Sequence, residues 1–236
     1  MLQKNNMKKI LFLLLLSSSA FAQFGLFGKD PLINKENFDK QRVHWGYYLG
    51  FNNLDFKFDY LSVTKDVEVQ SQIGFNVGLI GNLRLTNHLD FRFEPGLYIT
   101  QRNLTFPNFT EERDALREVK STYIFFPALL KFSAKRTGNI KPYLIGGLST
   151  ALNMGSNSEA KDDNYSQRFR MTKWSSFYEI GVGVDIYFEY FKFSPSIRGV
   201  FSTKDELIRD NDPNSPWTGN VGSMQTRGFF INFAFH

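Results

Sequence analysis

Charged side chains at alternate positions offer this chain its best prospect of chemistry. Arg92 and Glu94 stand two residues apart, and Glu179 and Asp185 share the parity of a later segment. Carboxylates beside an arginine can serve general acid–base catalysis. The same residues on the inner wall of a small barrel pair with one another as a structural network, and that is the reading taken here. The three histidines, His44, His88 and His236, fall before a strand, at a turn and at the last position. None stands with the serine and acid of a nucleophilic site, and no spacing clusters metal ligands. Gly181-Val182-Gly183 lies within a strand, where its glycines relieve crowding, so it is not a phosphate loop. The run Asp210-Asn211-Asp212-Pro213-Asn214-Ser215-Pro216-Trp217 has the Asp and Asn of a calcium loop. It lacks the central Gly and closing Glu of an EF-hand. It is read as a Pro-stiffened turn that holds Trp217 for a partner, with Asp210, Asp212, Pro213 and Pro216 around it. No catalytic residue, cofactor, metal or small-molecule substrate is expected.

The elements that carry these residues alternate with period two, eight times over. Leu89, Phe91, Phe93, Pro95, Leu97 and Ile99 share one parity; Asp90, Arg92, Glu94, Gly96, Tyr98 and Thr100 share the other. Tyr178 to Phe188 alternates with Glu179, Gly181, Gly183, Asp185, Tyr187 and Glu189, and Ile73 to Leu79 with Gly74, Asn76 and Gly78, a row that continues through Asn82 and Arg84. Thr122 to Phe132 and Phe229 to Phe235 carry similar apolar rows. Phe191, Phe193, Ile197 and Phe201 oppose Lys192, Ser194, Ser196 and Arg198. The segment from about Lys141 to Met154 is a Gly-rich strand. In the first strand, from about Trp45 to Tyr60, the apolar parity changes midway, and a one-residue bulge near Asn52-Asn53 would restore a single face.

Connections alternate between short turns, at Thr86-Asn87, Lys135 to Asn139 and Glu189, and longer stretches at 61–66, 107–117, 155–170 and 204–222. Short periplasmic turns and long outer loops belong to outer-membrane barrels. The expected fold is all-β: an eight-stranded antiparallel transmembrane barrel of the outer membrane, over residues 44–236, with both termini in the periplasm. Eight strands leave an interior about wide enough for side chains to fill. The inward set is Arg84, Asp90, Arg92, Glu94, Lys131, Glu179, Asp185, Lys192 and Arg198. Both signs occur, so a packed polar core without a channel is expected. The competing architecture is a soluble β-sandwich or lipocalin-type barrel with the apolar face inward. The unbroken apolar rows and the aromatic last strand favour the membrane version.

Residues 1–22 have the form of a cleaved signal peptide: Lys4, Lys8 and Lys9, an apolar Ile10–Leu16 core, and Ala20-Phe21-Ala22. Removing 22 of 236 residues leaves 214, one ordinary domain. Residues 23–43 show no strand period and are read as a flexible periplasmic leader. The chain has no Cys, which excludes disulfides and a lipidated N-terminus. A net charge of +5 without a basic run, on an exported chain, argues against nucleic acid as a partner. Outer-membrane lipid is the expected surrounding.

Several stretches resemble the PorT (also called SprT) family of Bacteroidota. They are Gly74-Phe75-Asn76-Val77-Gly78-Leu79-Ile80-Gly81, Phe93-Glu94-Pro95-Gly96-Leu97-Tyr98, Arg117 to Tyr123, Phe191 to Gly199, the Asp-Pro-Asn-Ser-Pro-Trp loop, and Thr226-Arg227-Gly228. The resemblance runs from about His44 to the end. It implies an outer-membrane barrel needed for type IX secretion, and for motility in gliding species, with other secretion components as partners. It brings no catalytic residues.

Overall fold

The computed structural model describes residues 33–63, 65–107 and 109–236. The expected signal peptide, 1–22, and the leader up to residue 32 lie outside the described residues. Ten strands form one antiparallel sheet: β1 (Val43–Tyr60), β2 (Glu68–Ser71), β3 (Ile73–Arg84), β4 (Leu89–Phe93), β5 (Gly96–Thr105), β6 (Leu116–Ser133), β7 (Ile140–Asn153), β8 (Trp174–Tyr187), β9 (Lys192–Ser202) and β10 (Val221–Phe235). β1 pairs with both β10 and β3, so the sheet closes into a barrel.

Ten segments make eight staves. β4 and β5 hold one register against β6, with Phe93 opposite Ala128 and Gly96 opposite Phe125. They separate at Pro95, which has no N–H to give to the ladder. Its carbonyl still accepts from Leu79 N at 2.9 Å. β2 and β3 are also one stave, but their register against β5 slips by one between Phe75↔Ile99 and Ser71↔Arg102. Gln72 is the extra residue of a β-bulge.

Side chains alternate in and out along every stave, and the polarity of the two faces reverses partway up. In the short-turn half the outward rows are apolar: Trp45, Tyr47, Leu49 and Phe51 on β1, Leu144 and Leu148 on β7, Ile180 and Val182 on β8 are all exposed. Stacked aromatics rim this belt at both edges, with Tyr47 on Phe235 and Phe188 on Phe191 below, and Tyr178 on Phe201 above. In the long-loop half the outward rows turn polar, with Asp55–Arg227, Lys57–Asp59 and Glu118–Lys120 ion pairs. The inward rows there are apolar, and Phe56, Leu104, Val119 and Met224 form a core with Phe169, Leu207 and Trp217 from the long loops.

The bulge expected near Asn52-Asn53 is absent. β1 runs against β10 in one register from Tyr47↔Phe235 to Asp59↔Ser223. Its apolar residues change face because the strand passes from one surrounding to another. The described end of the leader, 33–42, also differs from the free segment expected. A 3-10 turn, Phe38–Lys40, lies across the short-turn mouth, and Asn34 N donates to Asn139 Oδ1 at 2.9 Å. Phe38 packs 4.9 Å from His44 and 6.5 Å from His236, ring centre to ring centre. Tyr187 donates to Asp39 at 2.7 Å.

Candidate functional site

The charged layer sits inside the short-turn half, on inward positions of four staves, β4–β5, β6, β8 and β9. Strand parity places the groups, and adjacent staves bring opposite signs level. Glu94 forms ion pairs with two guanidiniums, Arg92 at 2.6 Å and Arg198 at 2.9 Å, and Arg198 also reaches Glu179 at 3.2 Å. Nearer the short turns, Asp185 takes Lys131 at 2.6 Å, Ser194 Oγ at 2.6 Å and Lys192 at 3.9 Å. Lys131 Nζ also lies 4.0 Å from the centre of the Tyr143 ring. Each of these charged residues is at most 3% exposed. Breaking such a pair leaves a buried charge uncompensated, at about 3–5 kcal/mol.

Two expected members stand apart. Arg84 turns out at the short-turn rim, donating to Thr86 O and to Asn87. Asp90 sits beside it in the β3–β4 ladder, half-buried. The other seven are brought together.

Above the charges lies an aromatic layer. Tyr48 and Tyr98 hydroxyls meet at 3.0 Å, and Tyr98 packs on Phe125 and Phe230 at 4.7 and 4.6 Å. A β-carbon at Gly96 would stand 2.0 Å from the Tyr48 hydroxyl, so only glycine admits that ring. Gly183 of the Gly181-Val182-Gly183 run serves likewise, since a β-carbon there would strike Tyr143 at 2.4 Å, while one at Gly181 would meet Arg198 Cγ at 2.6 Å.

Above the aromatic layer lies the buried Arg102, which the alternation ending at Thr100 does not reach. Arg102 donates to Ser121 at 3.1 Å and Tyr123 at 2.9 Å, and its guanidinium lies 3.9 Å from the Phe56 ring centre. Thr226 accepts from Arg102 at 3.4 Å and donates to Glu206 at 2.7 Å. Extending the stave's parity by two residues would have pointed to Arg102. Burial pushes the Glu206 carboxyl above its ordinary pKa.

The long loops close the other end. Asp210 is buried, and its carboxylate accepts from Asn164 Nδ2 at 2.9 Å, Ser215 Oγ at 2.5 Å and Thr218 Oγ1 at 2.9 Å. These donors satisfy it as a loop brace. Trp217 is 7% exposed. It stacks 4.7 Å from Phe109, lies 4.9 Å from Tyr165 and gives its indole N–H to Asp114 O at 2.9 Å. The indole therefore faces the cap core, while Asp212, Pro213 and Pro216 face solvent.

Among the described residues, buried side chains succeed one another along the axis. Among the described residues no cluster of His, Cys, Asp and Glu is arranged to hold a metal.

Solved structures similar to this chain include Neisserial surface protein A (NspA), at 12% identity and TM-score 0.45, over 82% of this chain and 98% of that one. The outer membrane protein OprG from Pseudomonas aeruginosa is 10% identical with TM-score 0.44, over 82% and 93%. Ail, the attachment invasion locus protein of Yersinia pestis, is 10% identical with TM-score 0.35, over 83% and 97%. No curated protein matches the chain. The outer membrane protein beta-barrel domain family matches residues 21–207. With that match spanning most of the chain, and an apolar belt around a closed barrel, the protein is an outer-membrane barrel and belongs to this family.

Proposed function

We propose that the chain is a sealed, non-enzymatic scaffold barrel that serves type IX protein secretion, and gliding motility where that occurs, by helping to assemble or stabilise the translocon. The observation that carries the scaffold reading is the filled interior. Paired charges, an aromatic layer and an apolar cap succeed one another along the axis. A conducting pore needs an open polar path, and an acyl or phosphoryl transferase needs its charged groups at a rim within reach of substrate. The secretion role rests on the resemblance of the Gly74–Gly81, Phe93–Tyr98 and Phe191–Gly199 stretches and of the Asp210–Trp217 loop to the PorT family. In this reading the loop meets other secretion components through Asp212, Pro213 and Pro216, with Trp217 as its buried brace. Outer-membrane lipid surrounds the belt.

The second reading is a general porin-like or adhesion barrel, favoured by the ordered cap of long loops. Deletion of the gene separates the two. Cargo lost from the medium, with outer-membrane levels of unrelated barrels unchanged, supports the secretion role. Intact secretion removes it. Planar-bilayer recording on the purified protein tests the seal: no stable unitary current is expected, and currents of porin size would overturn it.

A further inference from the structure

The barrel wall is not closed along its whole height. Among the described residues, β1 pairs with β3 only as far as Asn53↔Ile73, and from Leu54 to Tyr60 it pairs with β10 alone. β2 pairs with β5 alone. Two strand edges therefore face each other across a slit in the long-loop half. Gln72 explains the opening, because the bulge it makes bends β2 away from β1. The slit is pinned at its base by Ser71 Oγ on Asn53 Oδ1 at 3.1 Å, and at its top by Val67 N on the Tyr60 hydroxyl at 2.8 Å.

Between the pins is a cleft of 330 Å³, room for a few side chains. Phe58, Tyr60, Val67 and Val69 line it and are only partly buried against the cap core. In a closed ladder such inward positions would be covered. A strand edge without a neighbour turns alternate N–H and C=O groups outward, a template for another chain. A wall laddered over its whole height has no such edge, and here about 20 Å of one persists, at about 3.4 Å per residue, although the axis is filled. The outward residues at this height, Lys57, Asp59, Glu68 and Gln70, are polar, so the slit opens to water and not to lipid.

We propose that this slit is a docking edge for an extended segment of a partner polypeptide, added as a strand along Leu54–Tyr60. Peptide backbone is the ligand chemistry that satisfies a strand edge. Side chains of the segment that point inward meet Phe58 and Val69 and are apolar. Those that point outward lie between Lys57 and Glu68 and are polar. The partner sequence accordingly alternates apolar and polar over five to seven residues. This surface is separate from the Asp210–Trp217 loop and does not depend on the secretion role.

The test pans phage-displayed random decapeptides on the purified, detergent-solubilised barrel and follows the best synthetic peptide by amide hydrogen exchange. Alternating sequences are expected, with new protection confined to residues 54–60 and 68–71. Methylating alternate backbone nitrogens of that peptide should weaken binding about tenfold or more, since each lost backbone hydrogen bond counts for up to about a factor of ten. Deleting Gln72 removes the bulge, lets β1 and β2 zip together, and should abolish binding while the heat-modifiable gel band persists. Selection of no peptide, protection elsewhere, or full tolerance of N-methylation would each overturn the proposal. Protection of the same amides without peptide, rising with protein concentration, would show that a second copy fills the slit, and would overturn it also. If the deletion variant does not fold, the N-methylated peptide alone decides.

Discussion

Along β1 the outward row reads Trp45, Tyr47, Leu49, Phe51 and then Asp55, Lys57, Asp59. The inward row reads Tyr48, Gly50, Asn52 and then Leu54, Phe56, Phe58. One unbroken strand thus serves two surroundings. In the lower half hydrocarbon accepts only apolar groups, so polar groups are driven inward, where they must find each other. Charged pairs and tyrosines fill that interior. In the upper half water accepts the charges, so they move outward and the interior becomes an ordinary hydrophobic core. The membrane barrel and the soluble barrel, opposed as alternatives on sequence, are stacked in one molecule.

The largest effect should come from the lower interior. Arg198 compensates both Glu94 and Glu179, and Arg92 remains for Glu94 alone. Arg198→Met should therefore strand Glu179 and cost about 3–5 kcal/mol. Urea midpoints read from heat-modifiable mobility measure it. The double variant Arg198→Met with Glu179→Gln should recover part of the loss. A midpoint unchanged in the single variant would mean that the charges are not what holds this half.

Next comes the lower exterior. Val182 faces out from the belt on β8. Val182→Arg should cost about 2–4 kcal/mol if it lies near the bilayer midplane. Gln225→Arg, outward on β10 in the upper half, should cost almost nothing. Equal outer-membrane levels of the two variants would erase the distinction between the halves.

How much of this was legible beforehand follows from what alternation encodes. Period two tells which residues share a face, so eight staves, the turns and seven members of the charged layer could be read from it. It does not tell which solvent a face meets. The parity change after Phe51 marks the end of the lipid belt, but in sequence it looks like a register slip. The actual slip, at Gln72, leaves no apolar signature, because Val67 and Val69, inward above it, and Ile73 and Phe75, outward below it, all hold odd positions and read as one row. Arg84 and Asp90 have inward parity but lie so close to the turn that water reaches them. Phe38 sits in a stretch without any period, and its place over the mouth depends on His44, Tyr187 and His236, distant residues that no local pattern links to it.

The cap tests the upper half from within. Trp217 is buried against Phe109, Tyr165 and Arg117. Truncating a buried Trp to Ala commonly costs about 3–5 kcal/mol. Here Phe109 and Tyr165 belong to loops and Arg117 to the last pairs of the β5–β6 ladder, so the loss should be felt mainly as local opening at that end. Trp217→Ala should leave the heat-modifiable band and the urea midpoint of the barrel nearly unchanged. Added protease should cut the loops at 155–170 and 203–220 much faster. If the barrel midpoint falls with the cap, the two halves unfold as one unit and the contrast between them is compositional only.

The smallest expected effect places the boundary itself. Arg227 is outward on β10, one alternation above Phe229, and pairs with Asp55 across the β1–β10 ladder at 3.2 Å. Phe229 belongs to the apolar belt and Arg227 to the polar wall, so the lipid edge is drawn between them. If Arg227 stands in water, its pair with Asp55 is an exposed one, worth about 0–1 kcal/mol. Arg227→Leu should then shift the urea midpoint very little, and downward. If the belt reached this height, the arginine would be held in hydrocarbon at a depth-dependent cost of up to about 2–4 kcal/mol. Replacing it with leucine would then raise the midpoint clearly. The sign of the shift decides between the two positions, and Phe229→Leu, apolar for apolar, supplies the control for altered packing. A clear rise for Arg227→Leu would move the water boundary above Asp55, bury the base of the β1–β2 slit in lipid, and shorten the soluble half by at least two residues on every stave.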